Sequence, residues 1–393
     1  MKKKYSIGVI ISVAAVACAI TFVITVTVAT NMFNSLIGGV TQREEIYSKI
    51  QEVDSYVRSA AYYDIDEQAL NNGIISGYVT GLRDANAAYL SESQAKKKQQ
   101  IESGTMVSVG LEVSREESGY LKVNKVYANS PAESLNIQVG DIITEVNGDN
   151  VLEIGADNAA NNIDGDENTN VKITIQRSGE PVTLTATRRF FTIQSVTSAV
   201  VSGYGYIRIE AFNSMTGDQF VSELQKLQAQ GVLGYVIDVR NSTGTFDCLS
   251  DMLSRFIPAQ LIANAKYKDG TIAKFIETTG NVENDDKLVV LTDENTVGAA
   301  ELFAVSLRDF ASAKIVGTQT AGKGTVTETK NLTDGTALVI TRSEVLPAVS
   351  SSLSGGIKVD FAVEHTGEFD FEPTELVSAD PQLSKAFEVL ESL

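Results

Sequence analysis

Three lysines, Lys2 to Lys4, precede a run from Ile7 to Ala29 that carries no charge and is dominated by Val, Ile and Ala. As a helix that run rises roughly 35 Å at about 1.5 Å per residue, enough to cross a hydrocarbon core of about 30 Å. A cleaved signal peptide has a shorter apolar region and a small-residue cleavage box, so residues 1–41 are expected to be cytoplasmic lysines and an uncleaved signal anchor. The lysines hold the N-terminus inside, which makes the chain a single-pass cell-membrane protein with extracytoplasmic domains. Ala15-Val16-Ala17-Cys18 faintly resembles a lipoprotein box. The apolar run continues well past Cys18, and lipidation is the minor reading.

The whole chain has 393 residues, enough for two or three globular units beyond the anchor. Its 50 acidic residues against 32 basic ones give a net charge of -18, which argues against nucleic acid as a partner. Cys18 lies in the apolar segment and Cys248 far away, so no disulfide framework is available within one chain. His365 is the single histidine, and any Ser-His-Asp or Cys-His mechanism would have to use it. Zinc sites of His/Cys type lack ligands, and neither a metal nor a cofactor is expected.

Residues 42–104 read as helical, because Ile46, Ile50, Val53 and Val57 recur at spacings of three and four among charged residues. Breaks are expected near Tyr63 to Asp66 and Arg83 to Asn86. The apolar stripe should pack on the core or on a second copy of the chain, which would make a homodimer. Residues 105–190 change to β-branched alternation, as in Leu121 to Val126 and Val171 to Ile175. From Ser202 onward strands alternate with helices, with strands at Tyr204–Ile209, Gly234–Val239, Leu288–Leu291 and Lys314–Val316. The intervening helices fall at Gly217–Gln230, Cys248–Ile257 and Ala299–Phe310, a pattern of parallel α/β pairing.

Within residues 105–190, Val109-Gly110-Leu111-Glu112-Val113 resembles the carboxylate-binding loop of a PDZ domain. Ser130-Pro131-Ala132-Glu133 and Val139-Gly140-Asp141-Ile142-Ile143 through Asn147-Gly148 are similar to that fold's other signature. The resemblance implies capture of an extended peptide by strand addition, its terminal carboxylate meeting backbone N–H groups of the loop. Val109, Gly110, Leu111 and Val113 are then the expected peptide-binding residues, with Gly110 allowing the backbone to approach the carboxylate. The first loop residue, usually glycine, is Ser108.

The remaining motifs resemble the carboxyl-terminal processing, or tail-specific, serine peptidases, in which a PDZ domain precedes a crotonase-like α/β core. Tyr204 to Phe212 is similar to the core's opening strand, Asp238-Val239-Arg240-Asn241-Ser242-Thr243-Gly244-Thr245 to the family's Asp-Leu-Arg-Asn-Asn-Pro-Gly-Gly loop. Val316 to Val326 resembles the loop of the catalytic lysine, and Gly356-Ile357-Lys358-Val359-Asp360 the closing Gly-Ile-x-Pro-Asp. The likeness extends from about Glu45 to Ala386 and implies an α+β chain: anchor, helical segment, PDZ domain and a peptidase-like core over 191–393.

In this family a serine hydroxyl attacks the peptide carbonyl, an uncharged lysine in a dry pocket takes its proton, and backbone N–H groups stabilise the oxyanion. Lys323 occupies the lysine position, and Gly244 belongs to the oxyanion loop. Three departures cluster at the reacting centre. Gly298 stands at the serine position, 25 residues before Lys323 as the family spacing requires. Thr327 replaces the glutamine that steadies the amine, and Thr245 replaces the second glycine of the oxyanion loop, where its Cβ should crowd the site. The leading expectation is a pseudopeptidase that binds C-terminal tails. The rival is an active endopeptidase that recruits Thr296 or Ser306 to trim tails of exported proteins, and a third reading is an envelope protein whose PDZ domain and cleft bind nothing.

Overall fold

Continuous apolar runs such as Tyr235–Ile237 and Leu288–Leu291 require a sheet buried on both faces, and that sheet organises the core. The computed structural model describes residues 7–280, 282, 286–350, 352–365 and 380–393, leaving aside the side chains of residues 7–15, 17, 18, 29 and 31–43. The chain divides into two units, 1–75 and 76–393.

In the first unit the apolar run lies within a helix, Ile7–Ala60, with no break at residue 41. The anchor expected over residues 1–41 falls largely on side chains outside the description. Among the described residues no helix is long and apolar enough to cross a membrane, and the transmembrane expectation is to that extent unsupported. Arg58 pairs with Asp54 at 2.9 Å and Glu67 at 2.5 Å across the expected break. The Asp66 carboxylate then accepts the N–H groups of Gln68 and Ala69, which starts the next helix, Glu67–Thr80. Ile46, Ile50 and Val53 are all exposed, so the stripe expected to find a partner is open to solvent.

The second unit continues with a helix, Glu92–Ser103, opened by a capping box between Ser91 and Gln94 and closed by Gly104 in the left-handed conformation. The strand Thr105–Ser108 that leaves it pairs with Arg189–Thr192, so the intervening domain begins and ends on one ribbon. That domain is an antiparallel sheet in the order Leu111–Arg115, Leu121–Val126, Ile142–Val146, Asn170–Arg177, Glu180–Thr187. Alternate residues Val171, Ile173 and Ile175 face a core shared with Val123, Ile143 and Ala159, the last from the helix Ala156–Ile163. Leu111–Arg115 is an edge strand with that helix beside it, the arrangement of a peptide groove.

The core sheet runs Val196–Val201, Tyr204–Ile209, Tyr235–Asp238, Leu288–Thr292, Lys314–Gly317, Phe361–Ala362. Its first pair is antiparallel and the rest are parallel. Ile237 and Val290 meet Phe220, Leu224 and Phe303 of the helices Thr216–Ala229 and Ala299–Ala311 on one face. Val236, Val289 and Leu291 meet Leu383, Phe387 and Leu390 of the C-terminal helix Pro381–Ser392 on the other. An antiparallel sheet of Leu261–Tyr267, Ile272–Glu277, Thr325–Asn331, Ala337–Pro347 and Ala88–Leu90 stands beside it, and the alternation read from sequence does not reveal it.

Candidate active site

Loops at the carboxyl ends of the parallel strands converge on one cleft, as open α/β sheets dictate. Its volume is about 820 Å³, and its walls include Gly244, Thr245, Phe246, Gly298, Lys323 and Thr327. One further wall is the helix Glu92–Ser103, through Lys97, Lys98 and Glu102. Four positions separated by up to 83 residues in sequence, from Gly244 to Thr327, thus share a single cavity.

Gly298 sits at the sharp turn between the strand Leu288–Thr292 and the helix Ala299–Ala311, with φ 63° and ψ -103°. A strained strand-to-helix turn of this kind is how hydrolases present a nucleophile. A Cβ added there would meet nothing nearer than Phe246 Cζ at 3.9 Å. Space for a serine remains, although the positive φ favours glycine.

Glu301, fully buried, holds this turn to the lysine loop. Its Oε2 accepts the N–H of Gly298 at 2.8 Å and of Lys323 at 2.9 Å, and its Oε1 accepts Gly322 N–H at 2.7 Å and the Thr320 hydroxyl at 2.5 Å. Sequence reasoning assigned it no role. The signal was a carboxylate at the third helical position, where a side chain can reach back to the residue that starts the helix.

Lys323 is half-buried on the cleft wall rather than sealed among apolar side chains. Asp84 lies near it. Partial desolvation pushes the Asp84 carboxyl up, but the N–H groups of Thr341 and Asn86, the Thr341 hydroxyl and the charge of Lys323 outweigh this and hold it below the usual carboxylate range. Thr327 lies just past a bulge in the strand Thr325–Asn331, and no hydrogen bond joins it to Lys323.

The loop expected to form the oxyanion site is held against a neighbouring strand. Thr243–Gly244 pairs with Ala211–Phe212, so close that a Cβ on Gly244 would fall 1.9 Å from Phe212 O, and Thr245 N–H donates to the same carbonyl at 2.8 Å. With Gly298 N–H engaged by Glu301 and Thr245 N–H by Phe212, two donors that could meet an oxyanion are occupied. The Asp238-Val239-Arg240 part of the motif is architectural. Arg240 Nε and Nη2 grip Asp238 at 3.0 and 2.6 Å, and Nη1 reaches Asp380 at 2.8 Å and Gln382 at 2.9 Å, docking the C-terminal helix.

The rival nucleophiles are enclosed. Thr296, fully buried, shares its proton between Val239 O at 3.0 Å and Asp293 Oδ1 at 2.9 Å while accepting Asp293 N–H at 3.0 Å. Ser306, also buried, donates to Leu302 O at 2.5 Å inside its helix. Burial pushes the Cys248 thiol up to about 12, which leaves it inert at neutral pH. His365, half-buried beyond the last sheet strand, does not line the cleft. Among the described residues no cluster of His, Cys, Asp and Glu could hold a metal ion.

In the peptide groove, Leu111 and Val113 lie half-buried on the edge strand. The Val109 side chain is fully buried in the domain core, so only its N–H could serve a ligand. Gly110 needs its glycine for a reason other than carboxylate approach: φ is +85°, and a Cβ would stand 2.1 Å from Ser130 Cβ. Its N–H donates to Ser108 Oγ at 3.1 Å.

This arrangement, a PDZ domain followed by an α/β core with a strand-turn-helix elbow and a lysine loop, defines a serine-peptidase-like protein. Residues 203–363 match peptidase family S41, and residues 122–177 match the PDZ domain. The chain is 29% identical over 360 residues to a "Probable CtpA-like serine protease" of Staphylococcus aureus strain MSSA476, covering 90% of this chain and 72% of that protein. A protein of the same description from Staphylococcus haemolyticus is 28% identical over 361 residues, covering 90% of this chain and 70% of that one. Among solved structures, the photosystem II D1 C-terminal processing protease aligns with a TM-score of 0.47 and 23% identity over 80% of this chain and 86% of that chain. Residues 203–363 thus form a domain of peptidase family S41 and residues 122–177 a PDZ domain, in a chain similar to CtpA-like serine proteases.

Proposed function

We propose that the protein is a membrane-anchored, extracytoplasmic pseudopeptidase that binds peptide tails without cleaving them. The observation that carries this is glycine at the elbow, with the hydroxyls of Thr296 and Ser306 both buried and bonded elsewhere. An active serine-type endopeptidase, the reading carried by the relatives' names, would need a nucleophile that none of these positions supplies. A serine-directed fluorophosphonate probe is expected to leave the purified chain unlabelled. Casein degradation abolished by Lys323→Ala, or by Thr296→Ala, would overturn the reading in favour of an enzyme.

Two features support the anchoring part of this proposal. The run Ile7 to Ala29 is uncharged, and the described side chains Val16, Ile20, Phe22, Val23, Ile24 and Val26 are exposed around the helix, where lipid would cover them. Protease added outside wall-stripped cells should digest everything beyond the helix while sparing a short N-terminal fragment. Protection of the whole chain would mean inverted topology. The open stripe of Ile46, Ile50 and Val53 supports self-association along the same helix.

A further inference from the structure

The PDZ loop is poorly prepared for a terminal carboxylate. Gly110 N–H already donates to Ser108 Oγ at 3.1 Å, and the Ser108 hydroxyl points in turn to Asp164 Oδ1 at a long 3.4 Å. A carboxylate arriving at the loop would have to displace Ser108 and approach a carboxyl group one hydroxyl away. Packing around Asp164 raises its pKa above the ordinary range, opposed by Lys97, Ser108, Arg188 and Lys96, which are the charged and polar groups that face it.

The cleft is the better prepared of the two. The Lys323 main chain is fixed by Glu301 through its N–H, and although Asp84 lies near the side chain, the two form no direct ion pair. Thr245 Oγ1, on the same wall, is buried without a hydrogen-bond partner, and such a group seeks an acceptor or donor from a ligand. The open space beside Gly298 belongs to the same cleft. On a chain of net charge -18, this wall carries Lys97, Lys98 and Lys323 against Glu102 and Asp247, with Lys98 and Glu102 paired at 2.5 Å. On a wall close to charge balance, a lysine that makes no direct ion pair favours an anionic ligand group.

We propose that the free C-terminus of a bound peptide is received in the cleft, its carboxylate meeting the Lys323 ammonium and the Thr245 hydroxyl, while the PDZ groove takes only extended internal backbone as an added strand. This deepens the tail-binding reading and rests on it. The family's general-base position would then act as an anion receptor, and the missing serine would leave the terminus room to stay rather than react.

The test is fluorescence anisotropy on the full chain in detergent micelles, with a labelled decapeptide of apolar C-terminal half in free-acid and amide forms. The wild type is expected to bind the free acid about tenfold or more tightly, the usual scale for a charge-assisted contact. Lys323→Gln should erase that preference, and Lys323→Arg should retain it, which separates charge from folding. Asp164→Asn should leave the ratio untouched. Preference for the free acid surviving Lys323→Gln, or a selective gain in free-acid affinity in Asp164→Asn, would return the carboxylate to the PDZ loop and overturn the proposal. Binding of neither form by the wild type would instead remove the tail-binding reading itself.

Discussion

Gly298→Ser by itself is expected to leave peptide hydrolysis within about tenfold of the wild-type background. Removing a serine nucleophile costs on the order of a millionfold in turnover, and the hydroxyl alone does not recover it because the groups around it act as a unit. There is room for the new side chain, since the nearest atom to a Cβ at this turn is 3.9 Å away. The deficits are elsewhere. Gly298 N–H is bound to Glu301 and Thr245 N–H to Phe212 O, and losing one oxyanion donor lowers turnover by about 10² to 10³. Lys323 also lacks the contact that a glutamine at position 327 would provide. The combined variant Gly298→Ser, Thr245→Gly, Thr327→Gln should therefore exceed Gly298→Ser by about a hundredfold or more, because it removes the Cβ expected to crowd the oxyanion site and supplies a glutamine beside the lysine. Casein hydrolysis, with Lys323→Ala as the control in each background, checks this. Equal activity of the single and triple variants would show that the loop and position 327 play no part.

The largest effect on stability should come from Arg240→Ala. Asp238 is fully buried, and Arg240, Arg208 and the Tyr206 hydroxyl are its partners, at 2.6 Å, 3.4 Å and 2.8 Å. Removing one partner of a buried pair leaves a charge uncompensated in low dielectric and costs about 3–5 kcal/mol. The same substitution frees Asp380 and Gln382, so the C-terminal helix should loosen with it. Urea unfolding followed by circular dichroism gives the loss, and hydrogen exchange should locate it in residues 381–392. The pH dependence has a definite sign. Burial alone would raise the Asp238 carboxyl, but Arg240 and Arg208 outweigh it and hold it below the carboxylate range. Its contribution is then complete at neutral pH and lost only as pH falls below about 4. In Arg240→Ala the acid limb of the stability curve should move to higher pH.

The parallel core was legible in the sequence because Tyr235 to Ile237 and Leu288 to Leu291 are continuous apolar runs, as strands buried on both faces must be. The helical breaks near residues 61–66 and 81–87 were legible from their Asp, Gly and Asn content. The second sheet was not. Thr325–Asn331 reads as polar loop, because its stabilisation comes from pairing with Ala337–Pro347 rather than from its own pattern. In the site, the family resemblance and its spacing aligned Gly298 with Lys323. It could not show that Ser108 would satisfy Gly110, or that Asp238 and Arg240 look toward the C-terminal helix instead of the cleft, since both depend on contacts between residues far apart in the chain.

Glu301 separates the durability of this site from its chemistry. Its carboxylate fastens the elbow and the lysine loop through main-chain N–H groups and one threonine hydroxyl, none of which belongs to a reacting side chain. The fastening is indifferent to whether position 298 carries a serine. A lineage can therefore lose its nucleophile while the demands of folding alone keep the two loops in register, and an intact lysine loop records ancestry more faithfully than present activity.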